Sequence, residues 1–152
     1  MNITRMNAEM VDEFCKLRLQ LFEELGEISS IKDIHALEEA TKTYYGTHIN
    51  KDLISWCIKS DHEIVAIASL CLFNRIPYEG NLTGLEGYIL NVYTVPAYRK
   101  QGFAKHLITE IIEYTKENQI KRLWLNSSQD GQAIYYKAGF KMKDNEMELF
   151  LS

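Results

Sequence analysis

The sequence predicts an α+β (mixed α/β) fold: two helices and a hairpin, then strands and helices in alternation to the end. Three observations carry that expectation. Apolar residues recur at helical spacing over 11–25 and 34–48, strand-like runs take over between 53 and 95, and both patterns alternate from there on. The chain has 152 residues, 46% hydrophobic and 25% charged, which suits one domain with a real core.

Each element has a local reason. A short strand at Ile3–Met6 leads to Asn7, a helix N-cap by its side-chain oxygen. Val11, Phe14, Leu17, Leu21 and Leu25 then share one helix face, and Gly26 ends that helix. A second helix is expected over 33–50, with Ile34, Leu37, Thr41, Tyr44, Tyr45 and His48 along one side. Leu53–Lys59 and Ile64–Phe73 flank the turn "SDHE" and read as a hairpin. Residues 74–84, rich in Pro, Gly and Asn, form a loop. The strand from Leu85 to Val95 must stop at Pro96, which has no N–H for a ladder. After Gly102, Ala104, Leu107, Ile108, Ile111, Ile112 and Thr115 form a stripe suited to packing on a sheet. Arg122–Ser127 is a strand, "SQDGQAIYYKA" a short helix with Ser128 or Asp130 near its cap, and "EMELFL" a final strand.

A net charge of −4 excludes wholesale binding to nucleic acid or to an anionic membrane, so any anion site must be local. No apolar run reaches the length of a membrane span and no leader pattern opens the chain, which points to a cytoplasmic protein. Cys15, Cys57 and Cys71 lack C-x-x-C spacing and are odd in number, which favours reduced thiols. His35, His48, His62 and His106 make no ligand pattern, and no metal is expected.

The stretch "YTVPAYRKQGFAKHLI" suits an anion. The first N–H groups of a helix have no partner within it, and the helix dipole puts partial positive charge there. Gly102 leaves the backbone open, Ala104 keeps the next turn small, and Arg99, Lys100 and Lys105 add charge. Neither a Walker A loop nor a G-x-G-x-x-G fingerprint is present. An ordinary helix start with spare charge explains the stretch equally well. Tyr135, on the short helix before Gly139, is an aromatic core residue on the same plain reading.

Taken together, "VYTVPAYRKQGFAKHL" and "IYYKAGF" resemble the GNAT superfamily of N-acetyltransferases, matching its [R/Q]-x-x-G-x-[G/A] signature and its later "LYEKLGF" segment. The resemblance covers nearly the whole chain as a single acetyltransferase-like domain, and "ILNVYT" and "NEM" are similar to a bacterial subgroup. It implies a mixed, mostly antiparallel twisted sheet of six to seven strands flanked by about four helices. It also implies acetyl-CoA as co-substrate and an amine as acceptor, with a homodimer left open. Val92, Tyr93 and Thr94 would pair by backbone with pantetheine. Arg99, Lys100, Gln101, Gly102, Phe103 and Ala104, with Lys105 beside them, would wrap the pyrophosphate. Ser128 stands where many relatives have Asn, and its shorter hydroxyl can cap the helix.

Tyr135 would protonate the thiolate, because a phenol of pKa about 10 is protonated at neutral pH while a thiol ionises near about 8.5. Direct attack in a ternary complex, usual in the family, needs no cysteine nucleophile. Glu86, Glu23, Glu24 and Glu27 are candidates to deprotonate or bind the amine, although each is more simply read as a solvated surface acid. Asn91, polar within an apolar strand, either makes a structural hydrogen bond or faces the acceptor. A non-catalytic acyl-CoA-binding or sensing module is the alternative, needing Arg99 and Gly102 but not Tyr135.

Overall fold

The computed structural model describes residues 2–28 and 30–151. Its centre is a five-stranded sheet in sequence order: β1 (Ile3–Arg5), β2 (Leu53–Ser60), β3 (Glu63–Asn74), β4 (Leu85–Thr94) and β5 (Arg122–Leu125). The first three pairings are antiparallel and β4–β5 is parallel. The expected mixed, mostly antiparallel class is therefore present, with five strands in place of six to seven. "EMELFL" forms no strand: residues 141–151 make no backbone ladder bonds among the described residues.

Helices α1 (Val11–Leu25) and α2 (Ile31–His48) cover one face of the sheet, and α3 (Phe103–Glu117) the other. Asn7 caps a 3-10 turn that leads into α1, and Gly26 closes it at φ +70°. Ser30 caps α2 by accepting from Asp33 N, two residues earlier than the sequence pattern suggested. On the α1–α2 side, Phe14, Leu17, Tyr45, Leu53, Ile67 and Tyr93 form a core. On the α3 side, Leu107, Ile108 and Ile111 pack onto Ile54, Ala68, Leu70 and Ile89. Each such apolar side chain contributes about 1.5–3 kcal/mol on burial, which holds α3, and therefore its first turn, at a fixed place over the sheet. Helix α4 (Gln132–Ala138) lies beside α3 and closes at Gly139, φ +105°.

The β2–β3 turn runs through Asp61 and His62, both at positive φ, the geometry that matches strand twist in a tight hairpin. No helix among the described residues is long and apolar enough to cross a membrane.

Candidate active site

Strand β4 is bent where the sequence places Asn91. Tyr93 lies opposite Ile67 and Leu90 opposite Ser69, so Asn91 and Val92 share the single partner Ala68. Asn91 adopts φ +54°, a left-handed conformation that asparagine tolerates better than most residues. Past this bulge β4 leaves β5. Their pairing runs only from Glu86↔Arg122 to Ile89↔Leu125, and residues 90–94 have no β5 partner. Because Val95 N donates to Val65 O, the alternation of an antiparallel ladder turns the backbone of Thr94, and of Val92 two residues earlier, toward the opened side. Tyr93 faces β3 instead, and the Thr94 carbonyl already accepts from Arg99 Nε at 2.8 Å.

The open seam leads to the start of α3. Pro96–Tyr98 make a 3-10 turn, Lys100 sits at φ +63° and Gly102 at φ +83°. No side chain caps α3, and the first bond back to its cap is His106 N to Gly102 O at 3.0 Å. The N–H groups of Phe103, Ala104 and Lys105 therefore have no acceptor within the helix. A Cβ built on Gly102 would meet nothing nearer than His106 Cδ2 at 3.6 Å, so the space above this turn is open. Unpaired donors, two left-handed residues and a partial positive charge suit a phosphate group.

Arg99 behaves differently from the sequence expectation of spare charge. Its Nη2 lies 2.9 and 2.7 Å from the two carboxylate oxygens of Glu24, and its guanidinium stacks over the Tyr93 ring. Tyr93 OH donates to the same carboxylate at 2.7 Å. That bond and the Arg99 bonds hold the Glu24 carboxyl below its usual range, while burial and the Glu24 charge push Tyr93 up to about 12. Glu24 is thus tied to the strand end, so the positive charge left at the helix start belongs to Lys100 and Lys105. Glu23 and Glu24 line a shallow hollow with Gln20, Tyr93, Val95 and Pro96, and Glu27 is exposed just past α1.

Glu86 is neither a solvated acid nor a free base. It is wholly buried, accepting from Tyr78 OH and Arg122 Nη1, each at 2.8 Å, with Arg75 Nη1 at 3.7 Å. Burial alone would raise its carboxyl, but the Tyr78 and Arg122 hydrogen bonds and the Arg122 charge outweigh it and hold it low.

Tyr135 is half-buried and meets Phe140 edge-on. It lines a cleft of about 1090 Å³ together with Arg122, Trp124, Asn126 and Gln132. Burial raises its phenol above the ordinary tyrosine value. Ser128 accepts from Gly131 N at 3.3 Å and caps the 3-10 turn that leads into α4, keeping its own O–H free to donate. Asn91 is 7% exposed, and its side chain makes no hydrogen bond among the described residues. Burial raises the thiols of Cys15, Cys57 and Cys71, which leaves them poor nucleophiles. Among the described residues no group of His, Cys, Asp and Glu could hold a metal.

Sequence reasoning missed the Glu86–Arg122–Arg75–Tyr78 cluster and the place of Trp124 in the Tyr135 cleft. The parity of "RLWL", a cation two residues before a tryptophan, was the one available hint.

The chain, whose bulged seam ends at an uncapped helix start, belongs to the acetyltransferase (GNAT) family, whose pattern matches residues 13–140. A predicted acetyltransferase from Clostridium acetobutylicum, crystallised with acetyl-CoA, has a TM-score of 0.89 at 27% identity, over 98% of this chain and 95% of its own. A GCN5-related N-acetyltransferase from Ralstonia eutropha shares the fold with a TM-score of 0.88 at 20% identity, over 99% of this chain and 97% of its own. A glucosamine 6-phosphate N-acetyltransferase of Trypanosoma brucei brucei is 29% identical over 96 residues, a match spanning 63% of each chain.

Proposed function

We propose that the protein transfers an acetyl group from acetyl-CoA to a primary amine of a small molecule or peptide, by direct attack in a ternary complex. The observation that carries this is the joined pair of features on β4 and α3: an unpaired strand edge running into three unpaired helix N–H groups behind Gly102. The co-substrate supplies an electrophilic thioester carbonyl and a thiolate leaving group.

This chain's residues supply the rest. Backbone groups of Val92 and the N–H of Thr94 pair with the pantetheine amides, as an added strand would. The N–H groups of Phe103, Ala104 and Lys105, with the Lys100 and Lys105 charges, hold the pyrophosphate. As nitrogen bonds to the acetyl carbon, the C–S bond breaks and the Tyr135 phenol gives its proton to the departing sulfur; water takes the proton lost by the amine. Asn91 offers its amide, which has no protein partner among the described residues, to the acceptor beside the bulge. Glu24, held by Arg99 and Tyr93, positions the strand end rather than acting as base.

Thiol release from acetyl-CoA, followed across an amine panel, tests the reading. Turnover is expected with at least one amine, and Tyr135→Phe should lower kcat by about 10²-fold or more with little change in acetyl-CoA affinity. Binding without turnover on any amine would reject the transferase reading, and full activity of Tyr135→Phe would remove the phenol from the mechanism.

A further inference from the structure

Arg18 sits on α1 among its apolar stripe, half-buried, and meets no carboxylate at ion-pair distance among the described residues. Arg75, Arg99 and Arg122 each pair with an acid, and Arg5 is exposed. The partners of Arg18 are neutral: Nη1 donates to Thr41 Oγ1 at 2.8 Å, and the guanidinium lies 4.6 Å from the centre of the Phe22 ring. A guanidinium has five N–H donors, and withdrawing its charge from water is unfavourable until an opposite charge meets it. Burial lowers Arg18 from the usual arginine value, and Cys15, Cys71 and Glu27 offset this only in part.

The groups around Arg18 are donors as well. Thr41, 7% exposed, accepts from Arg18, and its own O–H meets no acceptor among the described residues. Tyr44 lies three residues further along α2, on the same helix face. Its phenol meets only the Cys71 sulfur, at 3.7 Å, and burial raises it, so it stays protonated. His48 stacks on Tyr44 and is bonded to Asp52 at 2.6 Å, so that acid is already engaged. Arg18 and Tyr44 both act on the Cys71 thiol, which gathers this charge and these hydroxyls about one point of β3. A carboxylate or a phosphate suits such a set: it has several acceptor lone pairs and the shape that a guanidinium grips through two parallel N–H bonds.

This point shares a face of the sheet with the bulged end of β4. Cys71 lies opposite Tyr88 and Ile67 opposite Tyr93, and opposite residues point the same way, here toward α1 and α2. Tyr88 precedes Asn91 by three residues, about 10 Å of strand, and Arg18 precedes Glu24, bound to Tyr93, by six, about 9 Å of helix. Both routes put the anion point within about 10 Å of the bulge. We propose that Arg18, with Thr41 and Tyr44, binds a carboxylate or phosphate on the acceptor itself. The acceptor is then a small amine that carries its own anionic group within about 10 Å of the nitrogen. The amine half of this statement rests on the proposed function; the anion site does not.

Two pairs of primary amines test it: aminocaproate against its amide, and aminohexyl phosphate against aminohexanol. Within a pair the chain is the same and only the far end differs. In at least one pair the charged member is expected to have a kcat/KM about tenfold or more above the neutral one, mostly through KM. The pair that shows it separates carboxylate from phosphate. Arg18→Gln should bring that ratio to about one, and Arg18→Lys, which keeps the charge without the paired N–H bonds, should restore part of it. Hexanoate and hexyl phosphate, which lack the amine, give a readout without turnover. At least one should bind the unaltered protein in calorimetry, and Arg18→Gln, with unchanged circular dichroism, should lose that binding. Equal rates for charged and neutral amines, or a preference that survives Arg18→Gln, would overturn the proposal and leave the transferase reading standing. Should the Gln variant not fold, the ratio in the unaltered protein and in Arg18→Lys decides in the same way. Binding of the amine-free anions through Arg18, with no turnover on any amine, would support the anion site and reject the transferase reading.

Discussion

In the proposed function, Tyr135 and Gly102 each have a single property on which the chemistry turns. For Tyr135 it is protonation. Burial raises its phenol, so it is protonated throughout the neutral range and loses its proton only above the ordinary tyrosine value of about 10. If it protonates the departing sulfur, kcat should stay level up to that point and fall as pH rises through the raised value. Tyr135→Phe should remove that alkaline limb along with most of the rate, and a pH profile of both proteins checks this. For Gly102 the property is φ. At +83° an alanine is strained by about 1–2 kcal/mol, although its Cβ would touch only the His106 ring edge at 3.6 Å. Gly102→Ala is therefore expected to lower stability by about 1–2 kcal/mol in urea unfolding. It should also weaken acetyl-CoA binding in calorimetry, since the new methyl group enters the space over the helix start. Unchanged binding would separate Gly102 from the ligand.

At the scale of elements, what could be read from the sequence divides by distance along the chain. The α3 stripe, the strand stop at Pro96 and the glycine at the helix start are local, because periodicity and backbone preference act within a few residues. Glu86 was not legible: a lone acid opening a strand looks solvated, and its partner Arg122 lies 36 residues away on the neighbouring strand. Arg99 looked like spare charge because Glu24, 75 residues distant, meets it only after α1 has packed on β4. The tail shows the limit of pattern alone. "EMELFL" alternates as a strand does, but alternation marks only a capacity to pair, and the segment pairs with no strand among the described residues. The Glu86 cluster also carries a prediction, since it ties β4 to β5 just before they part. Glu86→Gln leaves Arg122 without its counter-charge and should cost about 1.5–3 kcal/mol in urea unfolding at neutral pH. The sign with pH follows from the lowered carboxyl. Its contribution is fully present above the unfolded-state value and is lost as pH falls through the lower folded one, so wild type and variant should converge in acid.

For the molecule as a whole, the proposed function requires an acidic protein to bind a polyanion. The net charge is −4, yet the helix start presents three unpaired N–H groups and the unpaired cations Lys100 and Lys105, while Arg99 is neutralised by Glu24. At physiological ionic strength charges are screened beyond about 8 Å, so distant acids weigh little against donors in direct contact. The site should therefore bind acetyl-CoA through local geometry, and the bound native state must gain stability. At a ligand concentration of about 100 times Kd the gain is about 2.7 kcal/mol. For a chain of this size each kcal/mol moves Tm by about 2–4 °C, giving an expected rise of about 5–10 °C in a thermal melt. Replacing Lys100 and Lys105 together by Gln should shrink that rise while leaving the unliganded Tm within about 1 °C, because both side chains are exposed and neither forms an ion pair among the described residues. A loss in the unliganded Tm would assign the lysines to the fold. An absence of any shift with saturating acetyl-CoA on the unaltered protein would leave the open seam of β4 and the bare start of α3 without their ligand.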